Sequence, residues 1–280
     1  MTDKRKPDDP MAGIHWDLDK SISYSQYLQL DKVLSAQRPM SGQHDEMLFI
    51  VIHQASELWM KLCLHELAAT RAQIRSDDLE PAFKMLSRVA RAQAQLIQSW
   101  DVLGTMTPAD YMRFRDSLGQ SSGFQSWQYR ELEFMLGNKD ARLIEVHAGD
   151  PAAHALLRQE LSTPSLYDES IRLLKRRHFE IPAECTDRDW TQPYTAHPAV
   201  EAAWLAVYRD STAHWDLYEL AEKLVDLEYR FQQWRFAHLK TVERIIGFKR
   251  GTGGSSGVGY LAHVLNRAFF PELISLRTSI

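Results

Sequence analysis

The stretch from His44 to Leu62 constrains this chain more than any other. It reads His-Asp-Glu-Met-Leu-Phe-Ile-Val-Ile-His-Gln-Ala-Ser-Glu-Leu-Trp-Met-Lys-Leu. Its helix formers predict a helix with Asp45 as a capping residue at its head. From Met47 to Ile52 every side chain is apolar, which leaves no face for water, and such a helix belongs in the middle of a larger protein. His53 and Glu57 nevertheless stand one turn apart inside it, and Phe49, one turn before His53, shares its face. Glu57 is spaced for a structural ion pair with Lys61. A buried imidazole beside an aromatic ring needs either a partner or a task.

The rest of the chain repeats the helical pattern. Ser23 is placed to cap a helix carrying Tyr24, Tyr27, Leu28, Leu30, Val33 and Leu34, which Arg38 to Gly42 ends. The central helix runs to about Arg75, and another segment covers Leu79 to Trp100. Thr107-Pro108-Ala109-Asp110 is a helix start, with a Thr cap, Pro in the first position and an acid three residues on; that helix ends at Gly119. Short helices are expected near 126–137, 151–162 and 165–177. Residues 179–198 are irregular, which suits a domain boundary or a long surface loop. From Asp216, read as a helix cap, to Lys249 runs the longest periodic segment, with Leu217, Leu220, Leu224, Leu227, Phe231, Trp234, His238 and Ile245 on one stripe. Gly251 to Gly259 holds five of the chain's thirteen glycines and is a loop, with a last short helix from near Tyr260. No strand pattern and no repeat is present. The fold class is therefore all-α, a single helical-bundle domain over residues 14–280 behind a disordered tail at 1–13.

Charge and cysteine usage narrow the function. The formal net charge of −4 comes without a basic block, which argues against nucleic acid or an anionic membrane as partner. No signal peptide opens the chain, and no apolar run approaches the roughly 20 residues of a membrane span. Cys63 and Cys185 are too few for a disulfide framework, so a reducing cytoplasmic setting is expected. Gly119-Gln-Ser-Ser-Gly123 and Gly253-Gly-Ser-Ser-Gly257 satisfy the nucleophile-elbow pattern, but both follow helices rather than strands. The glycine-rich segment lacks the Lys-Ser/Thr ending of a P-loop, and His65-Glu66 has Ala69 where a zincin needs its second His. His214, Asp216 and His238 have the residue types of a non-haem iron triad, an alternative with weak spacing.

Three features carry chemistry. His53 and His238 lie on apolar faces; singly each reads as a hydrogen-bonded core residue, but together they suit haem. Haem needs one neutral imidazole on iron, and a second polar group over the open face steers oxygen or substrate. Tyr111, Arg115 and Leu118 share a face, and an inward Arg beside a Tyr hydroxyl clamps a carboxylate bidentately; a solvated surface Arg is the alternative. Thr252 sits in the glycine-rich loop after Lys249 and Arg250, either in a plain linker or in a loop that closes over a ligand.

These residues lie in blocks that resemble the tryptophan 2,3-dioxygenase family, bacterial members included. The blocks are Ser23 to Asp31, His44 to Trp59, Phe114-Arg-Asp-Ser-Leu-Gly-Gln-Ser-Ser-Gly-Phe-Gln-Ser126, Trp234-Arg-Phe-Ala-His238 and Gly251 to Gly257. They come in the family's order from about Ile14 onward. The resemblance implies an all-α homotetramer with one haem b per subunit, cleaving the indole C2–C3 bond of L-tryptophan with O2 to give N-formyl-L-kynurenine. By the same resemblance His238 is the proximal iron ligand, and His53 the distal residue that meets the indole N–H. Phe49, Ile50, Val51 and Ile52 line that side of the pocket. Arg115 and Tyr111 hold the substrate carboxylate, and Thr252 its ammonium group. Tyr24, Tyr27 and Leu28 belong to a segment that reaches into a neighbouring subunit's site. Trp100, Leu118, Ser122 and Gly123 contact the haem. Ala237 departs from bacterial members that carry Arg just before the proximal histidine, and removes an ion pair or propionate contact there.

Overall fold

A computed structural model describes residues 10–11, 13–15 and 21–280. The expected tail at 1–13 falls largely outside them. Every regular element among the described residues is helical. The chain divides into two compact units, one ending at Pro39 and the other spanning Met40–Ile280, a boundary inside the Arg38 to Gly42 segment expected to end a helix.

In the first unit, α1 (Tyr24–Leu28) and α2 (Leu30–Leu34) replace the single helix expected there. Ser23 does cap α1, in a reciprocal box with Gln26. Gln29 then turns left-handed, at φ 52°, and breaks the run. Neither helix buries a residue.

In the second unit, α3 (His44–Ser76) and α4 (Leu79–Leu103) form a hairpin over a two-residue link. Asp77 takes the left-handed conformation at φ 62°, and the Asp77 and Asp78 amides close the last turn of α3 onto the Ile74 and Gln73 carbonyls. The head of α3 differs from expectation: the helix starts at His44, so Asp45 lies in its first turn. Glu46, 1 % exposed, reaches back instead and accepts from the Met40 and Ser41 amides, each at 2.7 Å. Next come α5 (Pro108–Phe114), α6 (Trp127–Leu136), α7 (Pro151–Leu161), α8 (Leu166–Arg176) and the single turn α9 (Ala183–Thr186). The chain ends with α10 (Pro198–Arg209), α11 (Trp215–Ile246), α12 (Val258–Leu265) and α13 (Pro271–Ser275). The α10 helix is an addition to the elements expected from the sequence. Its start is Pro198 in the first position behind His197, whose Nδ1 accepts from the Ala199 amide.

The helices pack around two apolar clusters. The larger joins α3, α4, α8, α10 and α11 around Leu67, Leu86, Leu174, Trp204 and Leu224, all at most 2 % exposed. Each such side chain contributes about 1.5–3 kcal/mol by leaving water. The smaller lies where α3 begins and α4 and α11 end: Leu103, Met106, Tyr111, Phe114 and Ile245, with Phe49, Ile52 and Trp100 against them. Between the two clusters the helices do not close, and a cavity remains.

The expectation that α3 is buried all round is corrected. Met47, Val51, Leu58, Trp59 and Leu62 are 36–57 % exposed and mark an apolar surface on the half that precedes the core. For the same reason α3 is long and apolar enough to cross a membrane by length and composition, with a stretch of mean hydropathy 1.3 that is 17 % buried. Counting only uninterrupted apolar residues does not register this stretch, because polar residues such as His53 and Gln54 break the run.

Candidate functional site

The cavity, about 240 Å³, is walled by α3, the C-terminal ends of α4 and α11, α5, the turn at 119–125, α6 and the loop after α11. From α3 it receives Phe49, Ile52, His53, Ser56 and Glu57, positions three and four apart on one face. Ile50 and Val51 stand on the other side of the helix and do not line it. A whole Ile50-Val51-Ile52 run cannot face one cavity, because successive helical residues point about 100° apart.

His53 Nδ1 lies 2.7 Å from the Phe49 carbonyl oxygen. That oxygen only accepts, so Nδ1 carries the proton and Nε2 keeps a lone pair. Burial lowers the His53 pKa, against the opposing pull of that hydrogen bond and of Glu57, so the ring is neutral at neutral pH. Phe49 packs on the imidazole at 4.1 Å between centroids and is itself wedged against Phe114 at 5.6 Å. Glu57 accepts from Gln128 Nε2 at 2.7 Å, so its partner is α6 rather than Lys61.

His238 comes from α11. Its ring stacks on Trp100 at 4.5 Å and 8°, with Trp234 at 5.5 Å. It makes no hydrogen bond to any described residue, and it is partly buried on the cavity wall. Burial, then the proximity of His53, pushes its pKa down to about 4. A neutral imidazole with an uncommitted lone pair therefore faces an apolar chamber. Several other N–H groups of lining residues are buried without an acceptor among the described residues: Trp100 Nε1, Trp234 Nε1, Arg130 Nε and Arg235 Nε.

The mouth is built by two segments. Thr107 and Asp110 start α5 with the expected capping box, which fixes Tyr111, 8 % exposed, on the cavity wall. The helix tightens into a 3₁₀ turn from Arg115 to Leu118. Arg115 stands behind Tyr111 rather than on the wall. Its positive charge acts on the Tyr111 hydroxyl, and its Nη2 donates to the Arg250 carbonyl at 2.7 Å. Thr252 Oγ1 donates to the Ser121 carbonyl at 2.5 Å, bringing the glycine-rich loop onto the 119–125 turn. Ser122 and Gly123 line the cavity from that turn; Leu118 packs into the smaller apolar cluster instead.

The structure thus gathers Phe49, Ile52, His53, Trp100, Tyr111, Ser122, Gly123, His238 and Thr252 on one cavity, with Arg115 and Leu118 just behind it. Tyr24 and Tyr27, 75 and 73 % exposed, and Leu28 belong to the other unit. Sequence reasoning missed Tyr129, Arg130 and Arg235. Glu133 lies behind them, accepting from Arg130, from Arg235 Nη2 at 2.9 Å and from the Tyr129 hydroxyl at 3.0 Å. Only the four-residue step from Tyr129 to Glu133 hints at this cluster. The iron-triad alternative is not assembled: Asp216 pairs with Arg177 and His214 packs on Phe179. Among the described residues no three His, Cys, Asp or Glu side chains converge on a metal position.

The chain matches the family model described as tryptophan 2,3-dioxygenase over residues 10–280. It is similar to curated proteins of that name. One from Erythrobacter litoralis is 63 % identical over 261 residues, 93 % of this chain and 99 % of the relative. A tryptophan 2,3-dioxygenase 1 from Ralstonia nicotianae is 60 % identical, over 94 % of this chain and 90 % of the relative. A third, from Cupriavidus necator, is 59 % identical, over 96 % and 91 %.

Proposed function

The chain belongs to the tryptophan 2,3-dioxygenase family, and from that premise we propose that its cavity holds haem b on His238 and seats L-tryptophan against His53. The enzyme is an oxidoreductase that cleaves the indole C2–C3 bond of L-tryptophan with O2, both oxygen atoms entering N-formyl-L-kynurenine. This is the first step of tryptophan breakdown through kynurenine.

The observation that carries the haem reading is His238: neutral, unbonded and set in an apolar chamber that His53 lines from a different helix, α3. The unmatched N–H donors of Trp100, Trp234, Arg130 and Arg235 fit a flat apolar ligand that brings its own carboxylates. When bound, haem supplies the iron at which O2 reacts.

The chain's own residues then do the positioning. Tyr111 takes the substrate carboxylate from the wall, and Arg115 reaches it from behind Tyr111 with the guanidinium N–H groups not committed to Arg250, each charge-assisted bond contributing about 1.5–3 kcal/mol. Thr252 spends its proton on the Ser121 carbonyl, so its oxygen is left as an acceptor for the substrate ammonium. His53 Nε2 accepts from the indole N–H, because Nδ1 is already committed to Phe49. Phe49, Ile52 and Phe114 keep water from the reacting atoms. His53 acts as an orienting acceptor rather than an obligatory base, since the indole N–H is too weak an acid for a neutral imidazole. The His53→Ala variant is expected to keep its haem and to lose no more than about 10²-fold in kcat/KM, the low end for a proton-transfer group. Stopped turnover with normal tryptophan affinity would make His53 a base.

The test of the whole reading is one optical spectrum and one assay. Purified protein shows a Soret band, and L-tryptophan under air yields N-formylkynurenine. A haem-free active enzyme would reject the cofactor, and a haem protein without product would reject the site.

The assembly reading rests on the apolar surface of α3 and the bare helices of the first unit. Met47, Val51, Leu58 and Leu62 are covered by other copies in a homotetramer, and Tyr24, Tyr27 and Leu28 enter a neighbour's site. Replacing Val51 and Leu58 together by Asp should yield smaller species in light scattering; an unchanged tetramer would place the contact elsewhere. Cys63 and Cys185 are buried free thiols, in keeping with a cytoplasmic enzyme.

A further inference from the structure

We propose that Gly253 is a positioning residue for tryptophan: the absence of its side chain sets how closely Thr252 can stand to the cavity. The inference rests on the reading that Thr252 meets the substrate. The loop approaches the 119–125 turn through a short series of contacts. Arg115 Nη2 reaches the Arg250 carbonyl at 2.7 Å, Thr252 Oγ1 the Ser121 carbonyl at 2.5 Å, and Tyr260 packs edge-on against Phe124 at 5.5 Å. Gly253, next in the chain after Thr252, faces Ser122 of the turn. A Cβ built there would lie 2.7 Å from Ser122 Cβ and 3.0 Å from Ser122 Oγ.

Ser122 has no freedom to give way. Its Oγ accepts from the Phe124 amide at 3.3 Å, and its own amide donates to Gln125 Oε1 at 3.3 Å, in the box that starts the 3₁₀ turn Gly123–Gln125. The obstructing atom is Cβ, the fixed root of the side chain, and cannot rotate away. Gly254 and Gly257 take φ of +84° and +60°, conformations that favour glycine for backbone reasons. Gly253 has no positive φ, so an alanine is acceptable to its backbone anywhere except against Ser122. A methyl group at 253 therefore penalises only the seated loop. It displaces Thr252 from Ser121, freeing the hydroxyl proton that otherwise fixes its oxygen as an acceptor.

The experiment uses the haem-loaded enzyme and two readouts. In Gly253→Ala, KM for L-tryptophan is expected to rise about five- to ten-fold, the scale of one overpacked methyl, with kcat within about two-fold and an unchanged Soret band. Trypsin should cut after the exposed Lys249 or Arg250 several-fold faster than in the parent enzyme. Ser122→Gly removes the obstructing atoms and leaves a glycine that still tolerates the cap position. Adding Gly253→Ala to Ser122→Gly should therefore change neither KM nor cleavage rate. An effect of Gly253→Ala that persists in the Ser122→Gly background overturns the proposal, as does a Gly253→Ala enzyme with unaltered KM and cleavage. If Thr252→Ala leaves KM unchanged, Thr252 loses its substrate role, while the cleavage rates still decide whether Gly253 seats the loop on Ser122.

Discussion

Replacing His238 by alanine is expected to give a folded protein that emerges from purification without haem and turns over tryptophan more than about 10²-fold more slowly, beyond the cost of losing an outer-shell partner of a ligand. The ring contributes little to folding by hydrogen bonding, since it forms no hydrogen bond with a described residue. What it offers is a neutral nitrogen held in place: Trp100 lies parallel to it at 4.5 Å and Trp234 closes a second side at 5.5 Å. With the pKa pushed down to about 4, protons do not compete for that nitrogen near neutrality. The Soret absorbance relative to protein absorbance measures the loss directly, and circular dichroism reports the helices. His238→Gly with added imidazole should recover the band, because the free ligand fits the space the side chain leaves. The contrast with His53→Ala, which keeps haem, separates the two histidines. Full haem content in His238→Ala would assign the iron to another residue.

Much of the site is legible where the signal is local. The Thr-Pro-Ala-Asp start of α5 needs only four consecutive residues, and both halves of its capping box are present. The stripe on α11 places His238 among buried positions, and the four-residue step from Phe49 puts His53 beside an aromatic ring. What sequence reasoning misses is non-local. The composition of α3 shows that it is apolar on every side, but not that one side meets a cavity and another lies exposed, which divides Ile52 from Ile50 and Val51. Gln29 breaks the first helix without a Gly or Pro to announce it. Arg115 reads as a clamp residue, yet its anchor is the Arg250 carbonyl, 135 positions later in the chain. No periodicity within one helix reports such a contact.

The same limit hides Glu133, and its removal is the second large effect expected. Glu133 is 2 % exposed and lies between two guanidinium groups, those of Arg130 and Arg235, which are 1 and 3 % exposed. Arg235 also donates to the Arg267 carbonyl at 3.0 Å and lies over the Phe231 and Phe269 rings at 4.7 and 4.9 Å. Arg130 sits over Phe124 and Tyr129 at 5.7 and 5.5 Å. Burial, with the Glu133 charge adding to it, holds the Tyr129 phenol protonated, so it donates to the carboxylate and carries no charge of its own. Glu133 is the carboxylate that touches both buried cations, while Glu228 acts on Arg235 from further back along α11. Glu133→Ala leaves Arg130 without its ion-pair partner and Arg235 with Glu228 alone, at a cost of about 3–5 kcal/mol, a large part of a typical total stability. For a chain of this size that lowers Tm by roughly 10 °C. A triple variant, Arg130→Met, Glu133→Leu and Arg235→Met, should regain much of the loss, because well-packed apolar groups replace a buried ion cluster at little cost. Calorimetry on the three proteins decides it. A Tm for Glu133→Ala within about a degree of the parent would mean that water reaches the guanidinium groups through the cavity and screens them.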